Sequence, residues 1–203
     1  LSSSSAASDV YKRQPLANVL EDSKLFYTSF THIFVAPPET EAPDLTKFKF
    51  GTPSTYGSWV WIGDTDEEEP LKTNIDGGDI EFLRTADRVK ARSKRADVTL
   101  TGTIKALSVE RTVFDLAFAG GTYDSAKKSY KVKAKTLTAN KAILAVFEDG
   151  KTVAALRFPS TDIGGKYPEF GISKFASTDL DFGILTDRNG DTVEIFEPRA
   201  VTA

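Results

Sequence analysis

Residues 141–158 decide the fold, and they read KAILAVFEDGKTVAALRF. Two apolar runs, 141–148 and 152–158, flank the dipeptide Asp149-Gly150. An Asp-Gly pair between apolar runs is a strong signal of a β-hairpin, because the tight turn needs positive φ angles that glycine adopts without strain. Both runs are apolar on both faces. Such a strand is either central and covered on two sides, or it faces a neighbouring subunit.

Further strand signals precede this hairpin. Residues 24–36 are rich in aromatic and β-branched side chains and stop at Pro37, which predicts a first strand. Residues 80–90 predict a second strand. From 96 to 107, apolar side chains alternate with threonine and lysine. This alternation predicts a half-buried strand in which Gly102 marks a candidate β-bulge.

The hydrophobic period changes after Ser108. Apolar side chains at 109, 113, 116 and 117 follow a helical spacing. Ser108 suits the N-cap, and Gly120-Gly121 suits the end of a helix. The pattern predicts one short amphipathic helix over about 109–119, and we expect no other substantial helix.

Strand signals resume after the helix. Residues 129–137 alternate lysine with apolar side chains. The dipeptide Asn189-Gly190 predicts a second hairpin, which joins 176–185 to 191–196. Strands with turns between them dominate the chain, so the predicted fold class is mainly β with one short helix.

Length and composition bound the protein further. Residues 4–14, SSAASDVYKRQ, look like a translated sequencing adapter, so residues 1–14 are expected to be a disordered leader without information about the fold. Residues 15–203 then form a single domain, long enough for a sandwich or barrel. The chain has no cysteine, which excludes disulfide scaffolds and thiolate metal sites. Its formal net charge of -3 argues against tight binding to nucleic acid phosphates, and no apolar run approaches the ~20 residues of a membrane-spanning helix.

No pattern of catalytic or cofactor-binding residues is recognisable. The sole histidine, His32, lies in an aromatic strand with no nucleophile or carboxylate pattern beside it, so we expect a packed strand residue. No Gly-x-Ser-x-Gly elbow or phosphate-binding glycine loop occurs. The acidic run 64–69 lacks the spacing of a calcium loop and is followed by Pro70, which favours a solvated face over a metal site. We therefore expect no catalytic, cofactor or metal site and no enzyme activity.

Several stretches taken together resemble the major tail proteins of siphophages, particularly those of phages that infect actinobacteria. They are the opening 17–38 (ANVLEDSKLFYTSFTHIFVAPP), the link 74–81 (NIDGGDIE), the strand-to-helix segment 98–121 and the closing segment 182–198. The resemblance covers nearly all of the chain after residue 14. It implies a tail-tube-type β-sandwich or half-barrel with a flanking helix, a fold shared with type VI secretion tube proteins.

The resemblance also implies a function. Subunits of that family join edge to edge in hexameric rings, and the rings stack through a long loop and terminal arms into a tube that conducts DNA during ejection. The implied partners are other copies of the chain, tape-measure and tail terminator proteins, and genomic DNA that passes through the lumen without specific binding. No cofactor and no membrane partner are implied. The implied location is the virion tail, with assembly in the host cytoplasm.

The long region 39–79 suits the ring-stacking loop. Loops of this length are usually functional or disordered, and aromatic residues are favoured anchors at interfaces. The alternative is that its tryptophans fold back onto the subunit's own core. If the region is a stacking loop, replacing 55–64 with a short Gly-Ser turn leaves a folded monomer that forms no tubes. The predicted interface residues are Phe48, Phe50, Tyr56, Trp59, Trp61 and Ile62.

Two other functions stay open at this point. A β-sandwich module that binds carbohydrate would stack Tyr56, Trp59 and Trp61 on sugar rings and would remain a monomer or small oligomer. A tail terminator or head–tail connector would form one ring and never a filament. A glycan-binding assay beside a sizing column separates the first alternative from a tube subunit.

Overall fold

The computed structural model describes residues 26–49, 56–83, 87, 92–135, 137–150 and 152–201. Strands dominate this part of the chain, which confirms the predicted mainly β class. It contains one helix, α1 (Arg111–Ala117), and a 3-10 turn, Leu45–Lys47. The strands are β1 (Phe30–Ala36), β2 (Val60–Trp61), β3 (Leu71–Gly77), β4 (Ile80–Leu83), β5 (Arg92–Arg95), β6 (Val98–Ala106), β7 (Thr122–Asp124), β8 (Ser129–Lys131), β9 (Ala139–Asp149), β10 (Thr152–Gly165), β11 (Thr178–Leu185) and β12 (Glu194–Ala200).

The hairpin at Asp149-Gly150 is confirmed and forms the middle of a large antiparallel sheet. The sheet order is β2-β1-β9-β10-β11-β6-β3, and β12 pairs with β10 outside this path. Both faces of β9 are buried, since Ile143 is 0% exposed and its neighbour Leu144, on the opposite face, is 1% exposed. Of the two alternatives for these apolar strands, the structure shows the first, a central strand covered on both sides by its own subunit.

The prediction of a second hairpin at Asn189-Gly190 is wrong. A turn forms there, but β11 and β12 do not pair with each other, because both pair with β10. Residues 152–157 of β10 pair with β12, and residues 160–165 pair with β11. Pro159 lies between the two halves and has no N–H to give to a neighbouring strand. One long strand thus provides an edge for two shorter ones.

Two hydrophobic cores lie on opposite faces of β1 and β9. The inner core joins these strands to β6, β11, α1 and the second half of β10. The outer core covers the other face, together with the first half of β10, and is closed by side chains from the segment after β1. A sheet with buried side chains on both faces agrees with the predicted β-sandwich.

The predicted helix forms but is shorter than 109–119. Ser108 is not its N-cap, because the Ser108 Oγ instead accepts a hydrogen bond from the backbone N–H of Asp64 at 3.0 Å. The helical spacing nevertheless identified the correct face. The buried side chains of α1 are Val113, Leu116 and Ala117.

The alternating strand at 96–107 is confirmed as β6, but Gly102 is not a bulge. The register of β6 with β3 and with β11 runs through Gly102 without a shift. A Cβ atom at this position would lie 2.3 Å from Cζ of the buried Phe182. Glycine is required here because an aromatic ring lies directly on the backbone.

The predicted long loop 39–79 contains the 3-10 turn, β2 and β3. Its first part covers the outer face of the sheet, and its last part pairs with β6. The strand signals at 80–90 and 129–137 correspond to the short strands β4 and β8. The expected leader, 1–14, lies outside the described residues.

Candidate assembly surfaces

Three of the six predicted interface residues are buried inside the subunit. Trp59 is 2% exposed, and Phe48 and Ile62 are also buried. The indole Nε1 of Trp59 donates a hydrogen bond to the backbone carbonyl of Glu41 at 2.8 Å. These side chains pack into the subunit's own cores. Any contact of these residues with a neighbouring copy would therefore involve the backbone that they hold in place.

The other three predicted residues have different surroundings. Tyr56 is half-buried and stacks on Phe48 with ring centroids 5.6 Å apart. Trp61 is half-buried against the outer core. Phe50 lies outside the described residues. The interface role of this segment stays a prediction, and Trp59 is too buried to stack on a sugar ring.

The burial of this segment changes one expected experiment. Trp59 and Ile62 belong to the outer and the inner core, respectively. Replacing 55–64 with a Gly-Ser turn would remove both side chains, and each large core side chain contributes several kcal/mol. The expected product is an unfolded chain and not the folded monomer that the sequence suggested.

A long two-stranded ribbon, here called the arm, runs from 71–83 on one strand to 92–104 on the other. Residue Leu71 pairs with Ile104 at its base, and Leu83 pairs with Arg92 at its far end. The residue numbers of every pair sum to 175, so the ladder continues from β3–β6 into β4–β5 without a register shift. Thirteen residues per strand at about 3.4 Å each give a length of roughly 40 Å.

Gly77 and Gly78 join β3 to β4 within the arm. Both have positive φ angles, 88° and 76°. A Cβ at Gly77 would lie 2.3 Å from the carbonyl oxygen of Asp97, so only glycine fits there. Hydrogen bonds from Gly78 N to Asp97 O at 3.3 Å and from Ala96 N to Asp79 O at 2.9 Å carry the ladder across the join.

One face of the arm is mainly apolar from its base to the pair Gly77–Val98. At the base, Leu71 packs against the inner core and its partner Ile104 is 0% exposed. Further along the same face, Val98 is 50% exposed and Ile75 is 73% exposed, and Leu100, the cross-strand partner of Ile75, is half-buried. The core-facing side of β3 and β6 therefore continues beyond the core of its own subunit.

A second apolar surface is the loop between β10 and β11, residues 166–177, here called the apolar loop. Backbone hydrogen bonds between Glu169 and Ser177, 2.8 and 3.1 Å long, close it into a small hairpin. Ile172 is 97% exposed, and three aromatic side chains beside it are more than two-thirds exposed. These are Tyr167, Phe170 and Phe175.

The acidic run 64–69 forms a turn next to the end of β6. The Asp66 carboxylate accepts hydrogen bonds from the backbone N–H groups of Glu68 and Glu69 and lies 3.4 Å from the ammonium of Lys105. The hydrogen bond from Glu69, followed by those from Glu68 and Lys105, lowers the pKa of Asp66 below its ordinary value. Glu67 and Glu68 are both exposed, so neither carboxylate lies in a core.

His32 has a carboxylate partner that the sequence analysis missed. Its Nε2 lies 2.6 Å from Oε1 of Glu148, and both side chains are largely buried. The pairing of β1 with β9 brings them together across 116 residues of sequence. No local motif announces this contact, because only the strand register creates it.

Metal-ligating clusters and membrane-spanning helices are absent from the described part of the chain. Among those residues, no group of three or more His, Cys, Asp or Glu side chains is placed to hold a metal ion. No helix in the same residues is long and apolar enough to cross a membrane.

An antiparallel β subunit with apolar surfaces that its own cores leave bare has the features of a self-assembling structural protein. Over residues 19–196 the chain matches the family described as Phage tail tube protein, and it belongs to this family. The match confirms the resemblance found in the sequence. The family is structural, and its members are components of the phage tail that self-assemble into a tube. No curated protein matches the chain.

Proposed function

We propose that copies of this chain close into rings and that the rings stack into the hollow tube of a phage tail, the conduit for DNA during ejection. The observation that carries the proposal is the apolar face of the arm. At its base, Leu71 and Ile104 pack in the inner core, whereas Val98 and Ile75 are exposed on the same face. Continuous apolar surface of this kind marks an interaction site, and a second copy can cover it.

Ring closure is supported by the open edges of the sheet. In the described residues, β3 ends the sheet on one side, and the two-residue strand β2 covers only part of β1 on the other. Unpaired strand edges expose N–H and C=O groups that pair readily with another chain. Edge-to-edge contacts between different sides of the subunit close into a ring when the rotation permits, and the family resemblance implies six copies.

The charge of the chain supports passage of DNA without retention. The formal net charge is -3, and tight binding to phosphates needs clustered basic side chains that face the DNA. A lumen with neutral or acidic side chains lets the genome slide. The tape-measure and tail terminator proteins remain the proposed partners at the tube's interior and end, in the virion and during assembly in the host cytoplasm.

A pair of variants tests the role of the arm in assembly. Ile75→Asp places a charge on the exposed apolar face, and Asn74→Asp places the same charge on the adjacent residue, which faces the polar side. Sedimentation should show that Ile75→Asp stays unassembled, whereas Asn74→Asp assembles. Thermal unfolding should give Ile75→Asp the same melting temperature as the wild-type subunit. Assembly of Ile75→Asp at the wild-type concentration would contradict a role for the apolar face.

A further inference from the structure

We infer that the β7–β8 hairpin, residues 122–131, docks into an acidic cleft of the neighbouring copy in the same ring. It is here called the lysine hairpin, after its exposed side chains Lys127, Lys128 and Lys131. The inference rests on the proposed function and names one contact within the ring. It is carried by the unpaired charges of the two surfaces, by the anchoring of the hairpin and by the place of the cleft on the sheet.

The lysine hairpin is anchored on α1. The hydroxyl of Tyr130 donates a hydrogen bond to the carbonyl oxygen of Phe118 at 3.0 Å, and its ring lies 5.6 Å from the ring of Phe114. On the other strand of the hairpin, the Arg111 guanidinium lies over the ring of Tyr123, 5.2 Å from its centre. These contacts fix the direction in which the tip projects from the subunit.

The tip of the hairpin holds a lysine in a strained backbone conformation. The Asp124 carboxylate accepts hydrogen bonds from the backbone N–H groups of Ala126 and Lys127, at 3.1 and 3.2 Å. Lys128 has a φ angle of 48°, in the left-handed region that favours glycine. Because backbone strain of this kind is concentrated at functional positions, a long charged side chain kept there indicates a role for that side chain.

The lysines of the hairpin have no carboxylate partner within the described part of the chain. No Asp or Glu of that part lies within ion-pair distance of Lys127, Lys128 or Lys131. Other lysines of the chain are paired with carboxylates, and these are Lys47, Lys72, Lys105 and Lys166. The lysine hairpin is therefore a positively charged surface on a chain whose formal net charge is -3.

The complementary surface is a cleft of about 550 Å³ beside the acidic run 64–69, here called the acidic cleft. Asp64, Glu67 and Glu68 line it and are exposed, and no basic side chain of the described residues lies within ion-pair distance of their carboxylates. Three aromatic side chains also line it: Phe30, Trp61 and Phe147. Aromatic walls suit the apolar stems of lysines whose ammonium groups reach the carboxylates.

A copy cannot fill its own acidic cleft with its own hairpin. The hairpin packs on α1, which lies beside Ala139 at the start of β9, whereas Phe147 of the cleft lies near the other end of β9. Eight residues of strand separate Ala139 from Phe147, roughly 26 Å at about 3.3 Å per residue. Lys127 lies only three residues, or about 10 Å, beyond the anchored Tyr130. Docking therefore joins two copies.

The acidic cleft adjoins the open edge of β1. Residues 28–32 line the cleft, whereas β2 pairs only with Phe34 and Val35 further along β1. Because the proposed ring closes through open sheet edges, a hairpin in this cleft lies beside the ring contact. Contacts between two different surfaces close into a ring when the rotation permits. Opposite charges on these surfaces align the neighbours and disfavour contact between like surfaces.

The absence of cysteine from the chain allows a direct test by cross-linking. One chain carries both Lys127→Cys and Glu67→Cys, is assembled and is treated with a short bismaleimide. Each cross-link joins the hairpin of one copy to the cleft of the next, so denaturing electrophoresis should show a ladder that ends at the size of one ring. The matched control carries Glu67→Cys with Lys133→Cys, an exposed position just outside the hairpin.

Each result of this test supports or overturns the inference. A ladder that ends at one ring, with little product in the control, supports it. A ladder that continues past the size of a ring overturns it, because the contact then runs along the tube. Tubes without a ladder also overturn it and leave the proposed function standing. A wild-type chain that forms neither rings nor tubes overturns both.

An exchange of charges gives an independent readout of the same contact without cysteines. Lys127→Glu with Lys128→Glu should raise the concentration needed for ring formation by roughly fivefold, which corresponds to about 1 kcal/mol of surface ion pairing. Adding Glu67→Lys with Glu68→Lys to that variant should restore assembly. Lys133→Glu with Lys135→Glu changes the charge equally outside the hairpin and should assemble like the wild type. An equal loss in this control, or no restoration by the exchange, would exclude docking of the hairpin in the cleft.

Discussion

Replacing Trp59 with alanine distinguishes a core residue from an interface anchor. Trp59 is 2% exposed and belongs to the outer core with Phe34 and Leu144. The substitution leaves a large cavity, and it removes the donor to the Glu41 carbonyl at 2.8 Å. Large-to-small changes of a buried tryptophan cost about 3–5 kcal/mol, so we expect a loss of unfolding free energy in this range.

The assay is urea unfolding of the unassembled subunit. Unfolding is monitored by far-UV circular dichroism, because this signal reports backbone structure and not the tryptophan that is replaced. Trp59→Phe is the matched control, because it keeps an aromatic ring and loses the hydrogen bond together with part of the volume. Its expected cost is about 1–3 kcal/mol. If Trp59→Ala instead lowers the unfolding free energy by less than about 1 kcal/mol but blocks assembly, the residue is an interface anchor and its assignment to the core is wrong.

The remaining predictions concern packing, a buried hydrogen bond and acid stability. Gly102→Ala should cost about 1–3 kcal/mol, because its Cβ would lie 2.3 Å from the Phe182 ring, whereas Gly183→Ala, with nothing within 4 Å, should be nearly neutral in thermal unfolding. His32→Ala should cost about 1–3 kcal/mol, since it leaves the 5% exposed Glu148 without its histidine; equal stability of mutant and wild type in urea would exclude this. The folded state lowers the pKa of Asp66, so its contribution is present above the unfolded pKa and is lost as pH falls through the folded one; Asp66→Asn should therefore lose less stability than wild type in an acid titration monitored by circular dichroism.

The parts of the fold that local patterns encode were predictable from the sequence. Asp149-Gly150 identified the central hairpin, because its turn chemistry and its apolar arms are both local. The alternation in β6 and the helical spacing before Gly120 identified the buried faces of two elements. In each case the signal lies within one stretch of chain, where side-chain periodicity reflects burial directly.

The parts that depend on distant contacts were not predictable. The turn at Asn189-Gly190 forms, yet β12 pairs with β10 because β10 is long and open at that edge. The length of region 39–79 suggested a loop. Its apolar side chains instead cover the outer face of β1 and β9, because removing apolar surface from water lowers the free energy of the folded chain. The predicted interface residue Trp59 is buried for the same reason.

The candidate site shows a similar division. The glycine pair and the alternation of β6 were visible in the sequence, but the continuous register of 71–83 with 92–104 that makes them one arm was not. The acidic run 64–69 and the apolar loop lie about a hundred residues apart in sequence, and they lie at the same end of the subunit only because both adjoin the end of β6. Sequence periodicity gives no information on contacts of this kind.

The central claim is that sister copies cover the apolar surfaces that one subunit leaves bare. Negative-stain electron microscopy of the chain from Pro15 onward, purified and concentrated, tests it most directly. We expect stacked rings of constant diameter with an open central channel. Isolated monomers at every concentration, with no rings and no filaments, would contradict it.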